Sequence, residues 1–194
     1  MADGSTLAVA LLAAGSSQRF GERDKLAARF RGEMLGARSA RPIPREQFGR
    51  AWVICNALDH PCAEEWRQLD FELCRNTSAS DGMGTSVACA ARLAQEVRAD
   101  GLLIVLADMP LIPSEHFEAL IKVFRDAGRS CIAASSNSTV RSPPAIFGAD
   151  HFEALVASPG DGGARGMLSR GVTVDCDSEW LVDIDTPEDL SRYG

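Results

Sequence analysis

A chain of 194 residues with 45% apolar and 24% charged residues suits one soluble domain, and it should bury roughly 70% of its unfolded surface without disulfide or metal staples. A formal net charge of −7 argues against a nucleic-acid groove, so any anionic ligand must be held by local cations. The start has no basic signal segment and no apolar run approaches about 18 residues, which points to a cytoplasmic protein, neither secreted nor spanning a membrane. Six cysteines (Cys55, Cys62, Cys74, Cys89, Cys131 and Cys176) have no C-x-x-C spacing. They read as reduced thiols, not as zinc ligands.

In chain order, Leu7 to Leu12 is a short apolar run bounded by small residues, the pattern of a buried parallel strand. Ala13-Ala14-Gly15-Ser16-Ser17 follows, a turn of small residues whose backbone N–H groups can approach an anion closely. Arg19 and Lys25 come next, and Lys25 and Lys122 are the only lysines in the chain. A buried strand, a small-residue turn and two cations suit a polyphosphate. They are equally the parts of a glycine-containing βα turn with a basic rim. The spacing is neither that of the common phosphate loop nor G-x-G-x-x-G. Arg23, Arg29 and Arg31 extend the cationic cluster, or line a solvated helix face.

A short helix over 34–40 should end at Pro42 and Pro44. Strands are expected at Ala51–Cys55, with Asn56 just beyond where ligands collect, and at Phe71–Cys74. A helix over 62–69 lies between them. The polar loop Arg75–Ser86 leads into a helix over 86–98, with Val87, Ala90, Ala91, Leu93, Ala94 and Val97 buried and Thr85 or Ser86 as cap. Leu102–Ala107 is the most apolar strand and belongs at the centre. It ends in Asp108, a lone carboxylate at the ligand crevice for which Mg²⁺ is a natural partner, though loop N–H groups would also satisfy it.

Ser114 to Gly128 is a helix capped by Ser114, with Phe117, Leu120, Ile121 and Phe124 inward. Strands follow at 130–134 and 145–147, around a polar turn at 135–139. Residues 150–157 form a helix, 159–165 a loop, and a short helix runs to Arg170. The last strands are expected at 172–176 and 181–184. Thr186, Pro187 and two acidic residues then start a helix strongly. Asp183 and Asp185 are left on one side of an extended segment. Alternation of strands and helices predicts an α/β fold with a mostly parallel sheet and helices on both faces.

Leu12-Ala13-Ala14-Gly15, Ser17, Arg19-Phe20-Gly21 and Lys25-Leu26 closely resemble the signature of the molybdenum cofactor nucleotidyltransferase family, which attaches a nucleotide to molybdopterin. The family usually continues K-L-L; this chain has Ala27 there. Gly82-Met83-Gly84-Thr85-Ser86 resembles the cytidylyl branch, whose loop contacts nucleotide. That implies nucleotide contacts from Ser80, Gly82, Met83, Gly84 and Ser86, with Asn76 nearby and Asn56 at its strand end. Leu106-Ala107-Asp108-Met109-Pro110 matches the family's metal-binding strand end, and Asp183-Ile184-Asp185-Thr186-Pro187-Glu188-Asp189-Leu190 matches its recurrent ending. The resemblance implies magnesium on Asp108 and Asp185, with Asp183 as second choice; helix capping is the structural rival for Asp185. Gly160 to Arg165 resembles G-D-x-G-A-R, implying that Asp161 and Arg165 bind the phosphate-bearing acceptor. Pro144 belongs to the acceptor side too, but Ser142-Pro143 replace the family's usual Gly-His or Gly-Asn before it, leaving the acceptor open.

The resemblance covers nearly the whole chain. It implies a Rossmann-like three-layer α/β/α nucleotidyltransferase fold in one domain over 1–194, with a nucleotide half to about 112 and an acceptor half from about 113. The implied reaction moves CMP from CTP to the terminal phosphate of molybdopterin and releases pyrophosphate. L-A-A-G favours CTP, since the guanylyl branch reads L-A-G-G, and GTP is the rival. The Ala13–Ser17 backbone would hold the triphosphate and help to hold the base, with Leu12 also at the nucleotide; Lys25 and Arg19 would offset its charge, and Mg²⁺ would be the cofactor. The partners implied are the nucleotide, molybdopterin or molybdenum cofactor and a client molybdoenzyme, with no nucleic acid and no membrane. Three readings compete: another NTP transferase acting on a different phosphorylated acceptor, a nicotinamide-dependent oxidoreductase, and a non-catalytic carrier of the finished cofactor.

Overall fold

The computed structural model describes residues 6–15, 20, 24–157 and 161–194, and of 161–163 the backbone alone. Its strands are β1 (Leu7–Leu12), a two-stranded hairpin β2 (Arg29–Phe30) and β3 (Glu33–Met34), β4 (Arg50–Cys55), β5 (Glu72–Arg75), β6 (Gly101–Leu106), β7 (Ile132–Ser136), β8 (Arg141–Gly148) and β9 (Val172–Asp175). Its α-helices are α1 (Leu35–Ala40), α2 (Ala63–Gln68), α3 (Met83–Glu96), α4 (Ser114–Ala127), α5 (Phe152–Ala157), α6 (Asp161–Leu168) and α7 (Pro187–Tyr193).

Seven strands form one sheet in the order β5–β4–β1–β6–β8–β7–β9. All neighbours pair parallel except at β8, which runs antiparallel to both β6 and β7. The reversal follows from the β7–β8 connection. Four residues join them, too few for a crossover helix, so the strands must form a hairpin. Asn137 turns the chain there, its Oδ1 accepting the N–H groups of Thr139 (3.2 Å) and Val140 (2.9 Å).

Alternation along β1 builds both layers. Leu7, Val9 and Leu11 face one helix layer with Trp66, Phe117 and Phe124; Ala8, Ala10 and Leu12 face the other with Ala90, Ala91 and Ala94 of α3. Small side chains on both sides let α3 pack close to the sheet. On the opposite face, burying each large side chain contributes about 1.5–3 kcal/mol. All four expected α4 residues are buried, and Gly128 (φ +81°) ends that helix in a conformation glycine tolerates.

The boundaries differ from expectation where tertiary contacts override local signals. The Arg-rich segment after Lys25 contains the β2–β3 hairpin. Helix α3 starts three residues early, with Gly82 as N-cap, so Thr85 and Ser86 lie inside it, and Val97 falls past its end with 40% exposed. Ser114 is the first residue of α4 and makes no cap bond. Residues 161–165, expected as loop, open α6. Residues 182–185, expected as strand in part, pair with no strand; Ile184 N–H instead donates to Asp108 O at 3.0 Å.

Candidate active site

The C-terminal ends of β1, β4, β5 and β6 open on one edge of the sheet, where ligands of parallel α/β folds bind. A cavity of about 570 Å³ lies there. Its walls are the turn after β1 (Leu12 to Gly15), the loop after β5 (Arg75 to Met83, with Ser86), and Asn56, Lys25 and Asp108. Most residues expected to touch nucleotide therefore meet around one space. Gly84 is buried in the first turn of α3 and is not part of the wall. Ser16, Ser17 and Arg19 lie outside the described residues.

The loop after β5 is shaped by its own polar side chains. Buried Asn76 donates through Nδ2 to Thr85 Oγ1 (2.9 Å) and Ser86 Oγ (3.0 Å), and its Oδ1 accepts Ser78 N–H (3.0 Å). The Thr85 hydroxyl lies within 2.9 Å of Ser78 O and 2.8 Å of Gly82 O. Ser86, which is buried, thus helps to fasten the loop as well as lining the cavity. Gly82 carries φ +109°, a conformation closed to side-chain-bearing residues, and it turns the chain into α3. The first N–H groups of α3 are left without helical acceptors and carry partial positive charge toward the cavity.

At the cavity floor, Lys25 Nζ donates to Asp108 Oδ2 and to Asp185 Oδ1, each at 2.7 Å. The side chains are 14%, 23% and 46% exposed for Lys25, Asp108 and Asp185, so the cation is the innermost of the three. Burial works to lower the Lys25 pKa, but the two carboxylates win and hold the ammonium above its usual range. Asp108 Oδ1 is buried and has no hydrogen-bond partner among the described residues. An orphaned carboxylate oxygen is costly unless something cationic meets it. Asp183 keeps an exposed face, yet its carboxyl is pushed up to about 6, first by lost hydration and then by the charges of Asp108 and Asp185.

The Asp183–Asp185 segment reaches this floor through the Ile184-to-Asp108 backbone bond and a fully buried Ile184 side chain. Asp185 does not cap α7. Thr186 and Asp189 form that capping box, with Asp189 Oδ2 accepting the N–H groups of Thr186 (2.9 Å) and Asp185 (3.2 Å). The Asp185 carboxylate is left to face Lys25. Of the expected acceptor residues, Arg165 is exposed on α6 and acts on Asp183 through its charge, while Asp161 is placed only by its backbone. Pro144 is buried in β8 with its carbonyl accepting the Ser135 hydroxyl at 2.6 Å, away from the cavity wall.

Arg75 and Thr77 line the cavity and were not singled out from the sequence. Arg75 Nε donates to Asn56 O at 3.2 Å, which ties together the ends of the two neighbouring strands. The available signal was a cation one residue after a predicted strand end.

Residues 9–174 match the model of the MobA-like NTP transferase domain. The chain belongs to that family. It is 31% identical to the purine catabolism protein PucB of Bacillus subtilis, over 92% of this chain and 91% of the relative. Among solved structures it is similar to a nucleotidyl transferase from Methanothermobacter thermautotroptrophicus (TM-score 0.78, 18% identity, 97% of this chain and 96% of that one). It is also similar to molybdopterin-guanine dinucleotide biosynthesis protein A from Archaeoglobus fulgidus (TM-score 0.66, 20% identity, 96% of each chain). The expected nucleotidyltransferase fold is therefore the observed one, and the chain is a nucleotidyltransferase of the MobA-like family. No helix among the described residues is long and apolar enough to cross a membrane.

Proposed function

We propose that this MobA-like domain transfers CMP from CTP to the terminal phosphate of molybdopterin, releasing pyrophosphate. The observation that carries the reading is the Lys25 ammonium held between Asp108 and Asp185 at the floor of a cavity walled by the turn after β1 and the loop after β5. The acceptor phosphate oxygen attacks the α-phosphorus, a new P–O bond forms, and the bond to the β-phosphate oxygen breaks with its electrons leaving on pyrophosphate. The acceptor is already anionic, so no general base is needed, and positioning with charge stabilisation is the main task.

The donor set fits a magnesium ion. Mg²⁺ is usually held by one or two carboxylates together with substrate phosphates and water. Asp108 and Asp185 supply two carboxylates, the Lys25 ammonium stands between them as a cation would, and Asp108 Oδ1 is unpartnered among the described residues. When bound, the ion supplies charge neutralisation across the phosphates. Lys25 balances negative charge on the phosphates in transit, and Arg19 is assigned the same task. The turn after β1 holds the triphosphate and helps to hold the base, the Gly82–Met83 corner contacts the nucleotide from the other side, and Arg75 is a further cation at the rim. Arg165 and Asp161 are assigned to the acceptor phosphate.

The assignment of CTP rests on Ala13-Ala14-Gly15 and Gly82-Met83-Gly84, and that of molybdopterin on the family. The name of the Bacillus relative, a purine catabolism protein, suggests that the product serves an enzyme acting on purines. The test is pyrophosphate release with Mg²⁺, each of the four NTPs, and molybdopterin or its molybdate-loaded form. Release with CTP and molybdopterin alone is the expected result. Release with a different NTP or a different phosphorylated acceptor would reassign the substrates. Tight cofactor binding without release from any pair would overturn the transferase in favour of a carrier.

A further inference from the structure

Lys25 sits on a single 3₁₀ turn, Lys25–Ala27, which is too short to hold itself in place. Its N-cap is Asp24, whose Oδ1 accepts Leu26 N–H at 2.8 Å. The other oxygen of that carboxylate, Oδ2, lies 2.9 Å from His60 Nε2. His60 is 5% exposed and its ring lies against Trp66 with centroids 4.7 Å apart. Its Nδ1 accepts Cys62 N–H at 3.1 Å, so the ring proton sits on Nε2, the atom facing Asp24. The contact is short but lies off the line of an ideal N–H bond. The carboxyl of Asp24 is held below its usual range, chiefly by His60.

A second strut reaches the same turn from the same side. Cys62 Sγ donates to Leu26 O at 3.1 Å. Burial pushes that thiol up to about 12, which keeps the S–H donor in place. Trp66, fully buried, anchors the group by donating Nε1–H to Gly36 O at 2.9 Å. Gly36 lies so close that an added methyl would meet the indole at 2.9 Å. The His60–Trp66 segment is therefore rigidly seated before it touches Asp24. A buried imidazole is costlier than an apolar ring in this position unless its polar atoms are used. Neither His60 nor Asp24 lines the cavity.

We infer that His60 is a positioning residue for Lys25, acting through Asp24: the imidazole fixes the capping carboxylate, and the capped turn aims the ammonium at Asp108 and Asp185. This rests on the reading of Lys25 as the catalytic cation. Misplacing a charge by about 1 Å can cost on the order of a hundredfold in rate.

The test uses His60→Phe, which keeps a ring against Trp66 and removes the donor, and His60→Gln, which keeps an N–H near the old Nε2. Asp24→Asn, at a partly exposed position, serves if His60→Phe fails to fold. Because the chain has two lysines, ¹⁵N-lysine ammonium spectra resolve Lys25 from Lys122 without any substrate. The expected result is that the Lys25 ammonium, held against exchange in the native protein, exchanges as fast as that of Lys122 in His60→Phe and Asp24→Asn. Protection should return in His60→Gln. With CTP, kcat should fall about 10- to 100-fold while KM changes less than about threefold. A folded His60→Phe that keeps both the protected Lys25 signal and its kcat would overturn the inference and leave His60 as core packing. If the Lys25 signal changes as expected but the native protein releases no pyrophosphate with any NTP, positioning stands and the transferase reading fails.

Discussion

Strands β5, β4, β1 and β6 form a parallel half, and β8, β7 and β9 a half interrupted by one reversed strand. The parallel half supplies every strand-end wall of the cavity. The other half sends one segment to it, through the Ile184-to-Asp108 backbone bond. Parallel order brings successive strand ends, and their loops, to the same edge, so small turns and charges converge without long excursions. The reversed β8 points its C-terminal end the other way, and its buried polar groups are spent on packing. Chemistry and stability are therefore unevenly distributed, and substitutions should separate them.

The largest expected effect is on the parallel side. Lys25→Ala should lower kcat about 10³-fold, worth about 4 kcal/mol of transition-state stabilisation, because the site loses its innermost cation. Its thermal midpoint should stay within about 4 °C of the native value, since the ion pairs of Lys25 with Asp108 and Asp185 lie at an edge that solvent reaches. Steady-state pyrophosphate release and calorimetry together check this. A Lys25→Ala protein with native kcat would dissolve the contrast between the halves.

Gly148→Ala, at the end of β8, should do the reverse. An added Cβ would lie 1.9 Å from the Arg129 carbonyl oxygen, which is backbone and cannot swing aside. Overpacking of that kind costs typically about 1–3 kcal/mol and occasionally more. Denaturant titration should show that loss, while kcat per folded molecule stays close to native because β8 touches none of the cavity wall. Equal loss of kcat and stability would mean that the antiparallel half couples to the site more tightly than its packing implies.

The same division governs what the sequence made legible. The parallel half writes its function into local runs: the apolar β1, the small turn behind it, Asp108 at the end of β6. Those signals survive folding because strand, turn and charge adjoin in sequence. Lys25, Asp108 and Asp185 come from three distant places, and only the family motif linked them in advance. Their 2.7 Å contacts depend on Ile184 docking, which no local pattern encodes. Residues 181–184 looked like a strand because Leu181, Val182 and Ile184 are apolar, yet among the described residues no strand pairs with 182–184. Helix α3 began early because Asn76, Thr85 and Gly82 settle its entry among themselves, and that network outweighs a nominal Ser or Thr cap. The β2–β3 hairpin escaped notice since its turn, Arg31-Gly32 with both φ positive, lies among arginines. Arg31 there donates to Tyr193 O at 3.1 and 2.9 Å, so this member of the cationic cluster holds the C-terminal helix and not a ligand.

The smallest expected effect probes polar packing in the antiparallel half. His116 on α4 is 2% exposed, with Nε2 2.7 Å from Ser135 Oγ on β7. The Ser135 hydroxyl donates to Pro144 O on β8, so it must accept from the His116 Nε2–H, and Trp180 closes the ring edge-on at 5.7 Å. Burial alone holds the His116 pKa below its usual range. The unfolded chain, titrating near about 6.5, therefore takes up a proton in acid that the folded chain refuses. Stability from this group is complete above that value and is lost as pH falls through it. His116→Leu should remove that acid-side loss. Near pH 8 it should shift stability by only about 1 kcal/mol, because Ser135 keeps Pro144 as acceptor and one buried polar ring is replaced by an apolar chain. Denaturant titrations of both proteins across pH 5 to 8 would show it. Parallel curves with no difference in slope would mean that the imidazole gains its proton without leaving the fold.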